Sequence, residues 1–365
     1  MTEKKLKVLI VDDSVVFRNV LSEIVTRNCR CELLKSFGEG REALEYIENN
    51  NVDFVLLDIE LPGLNGVQVL EQINQINEKQ FRNPPVEAIM VSHLSTPGAE
   101  ITIKALETGA FDFVPKPEGT YLPKNIEILK AELYDKIEAL YNKRFPVSRA
   151  LNSEKRIFRK TLSGKHRIAE FKAIVVGAST GGPKAVMTII PPLSRMINLP
   201  MIIAIHTPPI FSGLFAENLS RRVSNYNVIE SIDNGIVENN TIYIAQGGKN
   251  LLLKRSSDGK VRTSMNTLPS EEKAFPSVNA LFRSAATAFD GPVIALILTG
   301  MGIDGTKGLS SLKRNGGYII AQDEKTSIVW GMPGSAVASG IVDTVLSLGD
   351  IPAEILRRVK ENSGF

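Results

Sequence analysis

Short apolar runs alternate with amphipathic segments along two stretches of this chain. In the first stretch, strands are predicted by the apolar runs at 8–11, 52–57, 88–91 and 111–114. Helical patterns separate these runs at 14–28, 40–49, 66–76 and 98–108. In the second stretch, strands are predicted at 173–176, 201–205, 228–232, 241–245, 293–298 and 318–321. Because strands that alternate with helices form parallel sheets, the sequence predicts two α/β units with functional sites at the carboxyl ends of strands.

A basic segment separates the two units. Between Lys143 and Lys172 there are ten Lys and Arg against two Glu, whereas the whole chain of 365 residues has a net charge of only +3. A last helix is predicted at 122–143, and regular patterning is then lost over about 145–168. We predict a first domain at 5–122, a final helix with an exposed linker at 123–168, and a second domain at 169–361.

Composition and charge narrow the class of protein. The hydrophobic fraction of 43% and the charged fraction of 23% are ordinary for a soluble globular protein. The basic charge is confined to the linker, and no compact helix-turn-helix segment is evident, so we expect no binding to nucleic acid. The sequence shows no signal-peptide profile and no apolar run of about 20 residues, so we predict a cytoplasmic protein without membrane insertion. The two cysteines, Cys29 and Cys31, match no metal-binding spacing.

Acidic side chains follow the predicted strands of the first unit. Asp12 and Asp13 come after the first strand, Asp58 follows the strand at 52–57, and Ser92 and Lys116 follow the last two. Each aspartate alone is compatible with an ordinary loop or helix cap. Together at one sheet edge, three carboxylates repel one another unless a cation neutralises them, and Mg²⁺ prefers such oxygen ligands. A metal, a carboxylate nucleophile and a lysine are the groups that phosphoryl transfer requires.

The first unit resembles the receiver domain of two-component response regulators. The resemblance rests on the segments DDS at 12–14, DIELPG at 58–63 and DFVPKP at 112–117. It implies a flavodoxin-like fold with a parallel five-stranded sheet, and phosphorylation of Asp58 by a chemotaxis histidine kinase. It also implies Mg²⁺ bound by Asp12, Asp13 and Asp58. The switch residues that it implies are Ser92, Phe113 and Lys116.

One serine in the second unit lies in a glycine-rich turn. The predicted strand at 173–176 ends in GASTGG at 177–182, and Pro183 then opens a helical segment. The pattern Gly-x-Ser-x-Gly holds a serine on a sharp strand-to-helix turn. Ser179 is therefore either a nucleophile or a structural turn residue.

A nucleophilic serine requires a base and an orienting carboxylate. Of the three histidines, His93 belongs to the first unit and His166 to the linker, so His206, after the strand at 201–205, is the favoured base. Asp304, in the segment LTGMGIDG at 298–305, is the candidate carboxylate. A capped glycine turn or a phosphate cradle remains the alternative for that segment, although it has no P-loop or dinucleotide-binding pattern.

The second unit resembles the chemotaxis protein-glutamate methylesterase (CheB) family over about 170–350. The chain order Ser, His, Asp differs from the Ser, Asp/Glu, His order of α/β-hydrolases. The resemblance rests on GASTGG at 177–182, TGMGIDG at 299–305, and AQDE at 321–324 through GMP at 331–333. It implies a doubly wound, mainly parallel α/β methylesterase domain without a cofactor.

The resemblance also implies an activity and a role for each site residue. The activity would be phosphorylation-activated hydrolysis of glutamyl methyl esters on methyl-accepting chemoreceptors, with release of methanol, together with deamidation of receptor glutamines. Ser179 would be the nucleophile, His206 the general base and acid, and Asp304 the group that orients His206. Met301 would support the oxyanion through its backbone N–H, and Thr180 would assist. We expect a monomer.

Several positions depart from the family pattern. They lie around His206, where the sequence is IHTP, and at Gln246, Lys249, Asn250 and Asn279. A catalytically weak or inactive adaptor, which uses the esterase fold only for binding, is therefore the alternative function.

Overall fold

A computed structural model of the protein describes residues 4–93, 96–117, 123–145, 170–269 and 274–362. The predicted linker at 146–168, with His166, lies outside the described residues. No helix in the described ranges is both long and apolar enough to cross a bilayer.

The first unit is built on a parallel five-stranded sheet. Its strands are β1 (Leu6–Val11), β2 (Cys31–Phe37), β3 (Phe54–Asp58), β4 (Glu87–His93) and β5 (Asp112–Lys116). Its helices are α1 (Val15–Thr26), α2 (Gly40–Asn49), α3 (Gly66–Lys79), α4 (Thr96–Thr108) and α5 (Pro123–Arg144). The strand order is β2-β1-β3-β4-β5, as in flavodoxin-like folds, so the predicted fold of this unit is confirmed.

The second unit is built on a seven-stranded sheet. Its strands are β6 (Ile174–Ala178), β7 (Met201–Ile205), β8 (Asn227–Glu230), β9 (Thr241–Ile244), β12 (Ile294–Ile297), β13 (Tyr318–Gln322) and β14 (Thr344–Leu346). The strands β10 (Asn250–Arg255) and β11 (Val261–Asn266) form a separate antiparallel hairpin. The helices are α6 (Gly182–Ser194), α7 (Pro209–Ser220), α8 (Val278–Ala288), α9 (Thr306–Arg314), α10 (Met332–Ala338) and α11 (Ile351–Asn362).

The strand order of the second sheet changes direction at β6, the first strand of this unit along the chain. The order is β14-β13-β12-β6-β7-β9-β8, and all of these strands are parallel. The chain leaves β6 towards β7 on one side and later returns to place β12 on the other. Open α/β sheets bind ligands at such a reversal, outside the carboxyl ends of the strands. The prediction of a doubly wound, mainly parallel fold is confirmed.

The helix α5 has the amphipathic face that the sequence predicts. Leu129, Leu133, Ile137 and Leu140 are buried in one core cluster with strands β1, β3, β4 and β5. Their spacing of three and four residues places them on one side of the helix. The opposite side of α5 is left to face away from the first sheet.

Candidate active site

Ser179 follows directly after β6, where the backbone turns sharply into α6. Gly181 has a φ of +76°, a left-handed conformation that glycine adopts without strain, and the peptide N–H of Gly182 donates to the carbonyl of Ser179 at 2.7 Å. Gly300 lies so close that a Cβ there would be 2.8 Å from the Ser179 Cβ. Gly181 and Gly300 therefore allow Ser179 to occupy a tight turn at the carboxyl edge of the sheet. The Ser179 residue is 9% exposed there.

His206 and Asp304 lie beside Ser179 because they follow the neighbouring strands. The backbone N–H of His206 donates to the carbonyl of Ala178 at 3.2 Å, and that of Ser179 donates to the carbonyl of Thr299 at 3.0 Å. The His206 Nε2 is 2.9 Å from the Asp304 Oδ2. The structure thus brings the three predicted residues together at the reversal point of the sheet.

Asp304 is held by the N-terminus of α8. Its carboxylate accepts hydrogen bonds from the backbone N–H groups of Val278 at 2.8 Å, Asn279 at 2.9 Å and Gly305 at 2.9 Å. Burial alone would raise the pKa of Asp304, but the hydrogen bond from His206, the electrostatic effect of that ring and the amides of α8 together lower the pKa below its usual value. The carboxylate is therefore ionised at neutral pH and acts only as an acceptor.

The ionised Asp304 determines which nitrogen of His206 is basic. A carboxylate accepts only, so the hydrogen-bonded Nε2 carries the proton and Nδ1 keeps its lone pair. Within the described residues, neither Nδ1 nor the Ser179 Oγ has a hydrogen-bond partner. Catalytic hydrogen bonds often form only when substrate is bound, so this open geometry is compatible with a serine–histidine pair.

Two residues that depart from the family pattern support the loop that carries Asp304. The Asn250 Oδ1 accepts from the backbone N–H of Ser277 at 2.9 Å, at the start of α8. The Asn279 Oδ1 accepts from the backbone N–H of Gly308 at 2.7 Å, in α9. Both asparagines are buried, so their side chains fix the helix ends around Asp304 rather than facing substrate.

The predicted oxyanion and helper residues lie at the same place. Met301 and Thr180 line a cavity of about 810 Å³ together with Ser179, His206 and Asp304. The Thr180 carbonyl accepts from the Thr299 hydroxyl at 2.9 Å, which ties the serine turn to the end of β12. The roles of Met301 and Thr180 remain predictions.

The acidic residues of the first unit also converge. Oxygens of Asp12, Asp13 and Asp58 lie within 4.8 Å of one another. The Lys116 ammonium lies 2.6 Å from the Asp12 Oδ2 and 2.7 Å from the Asp58 Oδ2. Burial raises the pKa of Asp58 to about 6 despite the opposing effect of Lys116. Lys116 alone does not neutralise the three carboxylates. Their oxygen atoms are suitable ligands for Mg²⁺.

Two of the predicted switch residues, Ser92 and Phe113, contact different parts of the structure. The Ser92 hydroxyl donates to the carbonyl of His93 at 3.1 Å, at the end of β4. The Phe113 ring does not stay within its own unit: it stacks on Phe211 of α7, with the ring centroids 4.7 Å apart. The Phe113 position therefore connects the first unit to the helix that follows His206.

The first unit also forms part of the wall of the candidate catalytic cavity. Its contributions come from β5 and α5, and are Phe113, Pro115, Ala131, Glu132, Asp135 and Lys136. The Lys136 ammonium lies 2.6 Å from the Asp112 Oδ2 and donates to the Thr180 Oγ1 at 3.3 Å. A second contact between the units is the ion pair of Arg222 with Glu107 at 2.6 Å. Sequence reasoning missed these α5 residues, because no pattern marked that side of the helix as an interface.

Known domain families match both units. The response regulator receiver domain matches residues 8–126, and the CheB methylesterase domain matches residues 174–355. The chain is thus a response regulator with a methylesterase-type output domain. The crystal structure of the Thermotoga maritima CheB methylesterase catalytic domain is similar to this chain at 36% identity and a TM-score of 0.50, covering 52% of this chain and 100% of that one.

Full-length relatives match the whole arrangement. A protein-glutamate methylesterase/protein-glutamine glutaminase of Desulfotalea psychrophila is 35% identical over 98% of this chain and 99% of its own length. One of Bacillus subtilis is 35% identical over 98% of this chain and 99% of its own length. The chain therefore belongs to the CheB family of protein-glutamate methylesterases.

Proposed function

We propose that this protein hydrolyses glutamyl methyl esters on methyl-accepting chemoreceptors during chemotactic adaptation, and that it also deamidates receptor glutamines. The observation that carries the proposal is the His206–Asp304 pair, which lies in one cavity with Ser179. The domain limits that we propose are 5–122 for the receiver, 123–168 for its last helix and the linker, and 169–361 for the esterase. We further propose that it acts in the cytoplasm, as a monomer, downstream of a chemotaxis histidine kinase.

Hydrolysis follows from the chemistry of the three residues. The Ser179 Oγ attacks the ester carbonyl as the His206 Nδ1 takes its proton, and Asp304 stabilises the resulting imidazolium through Nε2. The negative charge that develops on the carbonyl oxygen requires a nearby donor, and we assign this role to the backbone N–H of Met301. Methanol leaves with the proton from His206. Water, deprotonated by His206, then attacks the acyl-enzyme and releases the glutamate.

The receiver would accept a phosphoryl group on Asp58. Its carboxylate is the nucleophile, and Lys116 provides a positive charge at 2.7 Å. Asp12, Asp13 and Asp58 would hold Mg²⁺, which when bound neutralises charge on the transferring phosphoryl group. Lys116 already contacts Asp58, so it is placed to contact a phosphoryl group there and to shift β5.

Phosphorylation would control access to the esterase cavity. The cavity of about 810 Å³ is closed on one side by β5 and α5. A helix about 10 Å wide fills about 400 Å³ per turn, so the cavity has room for only about two turns of a receptor helix while the receiver is docked. Phosphorylation of Asp58 would shift the population towards an undocked state.

Lys136 offers a test of this docking. Replacing Lys136 with alanine removes the contact with Thr180, and a hydrogen bond of this kind is worth about 1 kcal/mol, so we expect basal methylesterase activity to rise about fivefold. The measurement is methanol release from methylated receptor by the unphosphorylated chain. Lys143→Ala is the matched control, because Lys143 lies on the same helix but pairs with Glu87 of the receiver at 2.7 Å. Equal basal activity of the Lys136 and Lys143 variants would contradict the docking role of Lys136.

A direct assay separates the enzyme from the adaptor alternative. The wild-type chain, incubated with membranes that carry methylated receptor, should release methanol in proportion to the amount of chain added. An adaptor would bind these membranes without releasing methanol. The ionised Asp304 and the unprotonated Nδ1 of His206 support the enzyme over the adaptor, because a protein that only binds receptor needs neither.

A further inference from the structure

The side of α5 that faces away from its own sheet lies across the candidate catalytic cavity. Glu132 and Lys136, one turn apart, both line this cavity with Ser179 and His206. The chain thus already places a helix, with a glutamate on it, at the site that acts on glutamyl side chains.

On the basis of the proposed function, in which the substrate is a glutamyl side chain on a receptor helix, we propose that α5 is an internal mimic of that helix. Glu132 faces the catalytic cavity in place of the receptor glutamate. An apolar strip, formed by Met301, Ile328 and Val329, is the surface on which the receptor helix docks once α5 has left.

The apolar strip surrounds the serine turn. A Cβ at Gly181 would lie 2.9 Å from the Ile328 Cβ, and the backbone N–H of Gly300 donates to the carbonyl of Val329 at 3.0 Å. All three side chains of the strip are partly buried because they pack against the receiver core cluster that includes α5. When the receiver undocks, the strip becomes exposed next to Ser179. An amphipathic helix with an apolar face is the partner that fits such a surface.

The surroundings of Glu132 support its role as a mimic. Within the described residues it has no hydrogen bond and no ion pair within 4 Å, although the side chain is partly buried. Burial raises its pKa, Lys136 opposes this, and Asp112 and Asp135 add to it. The Glu132 carboxyl is therefore more easily protonated than that of an exposed glutamate. A partly buried carboxyl without a partner does not stabilise the interface, so packing alone gives no reason for a glutamate here.

The first test examines the apolar strip. We expect Ile328→Ser in the phosphorylated chain to lower kcat/KM for methylated receptor about tenfold, since an apolar contact of this size is lost. Hydrolysis of a short, soluble peptide with a glutamyl methyl ester should be unchanged, because such a peptide needs no helix docking. Val345→Ser, at an exposed apolar residue of β14, is the matched control. If the receptor and the peptide are affected equally, or neither is affected, the strip is not the docking surface.

The second test makes the mimic a substrate. In the variant Glu132→Gln, the Ser179 Oγ would attack the Cδ of the new glutamine, and ammonia would leave with the proton from His206. Water would then hydrolyse the ester, restore the Ser179 hydroxyl and leave a glutamate at position 132. The net reaction consumes one amide and one water and gives one carboxylic acid and one ammonia.

Mass spectrometry of the peptide that contains position 132 measures this conversion in the purified, unphosphorylated chain. We expect glutamine to be converted to glutamate in Glu132→Gln, and to persist in Glu132→Gln with Ser179→Ala. It should also persist in Glu127→Gln, because Glu127 is 70% exposed on the same helix and does not line the cavity. Glutamine that persists at position 132, in a variant that still hydrolyses methylated receptor, would overturn the proposal. If the wild-type chain releases no methanol from receptor, the proposed function itself fails, and the mimic with it.

Discussion

Replacing Ser179 with alanine should reduce methanol release from methylated receptor by roughly 10⁶-fold, the scale of loss found when the nucleophile of a catalytic triad is removed. The reason is that the acyl-enzyme cannot form without the Ser179 Oγ. Its partners His206 and Asp304 would remain in place, since the Ser179 side chain makes no hydrogen bond within the described residues. The expected result is therefore loss of activity with an unchanged thermal midpoint.

Two measurements make the Ser179 result specific. Phosphorylation of Asp58 should proceed at the wild-type rate in the variant, because the receiver site lies in a different sheet. Ser220→Ala, at an exposed serine that ends α7, should keep full methylesterase activity. Methanol release by Ser179→Ala at more than a small fraction of the wild-type rate would rule out Ser179 as the nucleophile.

Replacing Asp304 with asparagine should lower the rate of methylesterase turnover by roughly 10⁴-fold. The side chain keeps its size, but an amide N–H₂ facing the His206 Nε2 favours the tautomer with the proton on Nδ1. That nitrogen then has no lone pair with which to accept the proton of Ser179. The measurement is kcat for methylated receptor, and KM should change little because Asp304 is buried.

Asp304→Asn should also affect stability. The carboxylate accepts from three backbone N–H groups at 2.8 to 2.9 Å, and an asparagine oxygen cannot serve them all. An unsatisfied buried donor costs about 1–3 kcal/mol, so the thermal midpoint should fall while the fold is retained. Asp258→Asn, at an exposed aspartate of the β10–β11 hairpin, is the control and should change neither property. Wild-type kcat in a folded Asp304→Asn variant would contradict the proposed role.

The assembly of the candidate triad was predictable from the sequence. Ser179, His206 and Asp304 each follow an apolar run, and the carboxyl ends of parallel strands meet at one edge of a sheet. The sequence did not show that β6 lies between β7 and β12, because strand order depends on tertiary packing. That order is what brings the three residues together.

The strands missed by sequence reasoning have at most two consecutive buried residues. The strand β2 lies at the edge of its sheet with half-exposed and exposed residues in its centre, so it has no continuous apolar run. The hairpin of β10 and β11 carries charged residues on both sides of Gly259. These residues make the segment polar, so its sequence does not show a strand pattern. The short β14 has no fully buried residue. A search for apolar runs cannot detect strands of this kind.

The interface between the two units was also not predictable. The spacing of apolar residues identified the side of α5 that packs on its own sheet, but the polar side, with Glu132 and Lys136, resembles any solvated helix face. The same is true of Phe113: an aromatic residue within a strand such as β5 is expected in the core of its own unit, yet the Phe113 ring stacks on Phe211 of the esterase unit. Contacts between domains depend on how folded surfaces meet, which local patterns do not encode.

In the proposed mechanism, Asp58 controls an esterase that acts through Ser179. The most direct test of this control is methanol release from methylated receptor by the full chain. The release is measured with and without a small-molecule phosphodonor, in the wild type and in Asp58→Asn. We expect the phosphodonor to raise the rate severalfold in the wild type and to have no effect on Asp58→Asn. An equal rise in both chains, or no methanol from the phosphorylated wild type, would contradict this account.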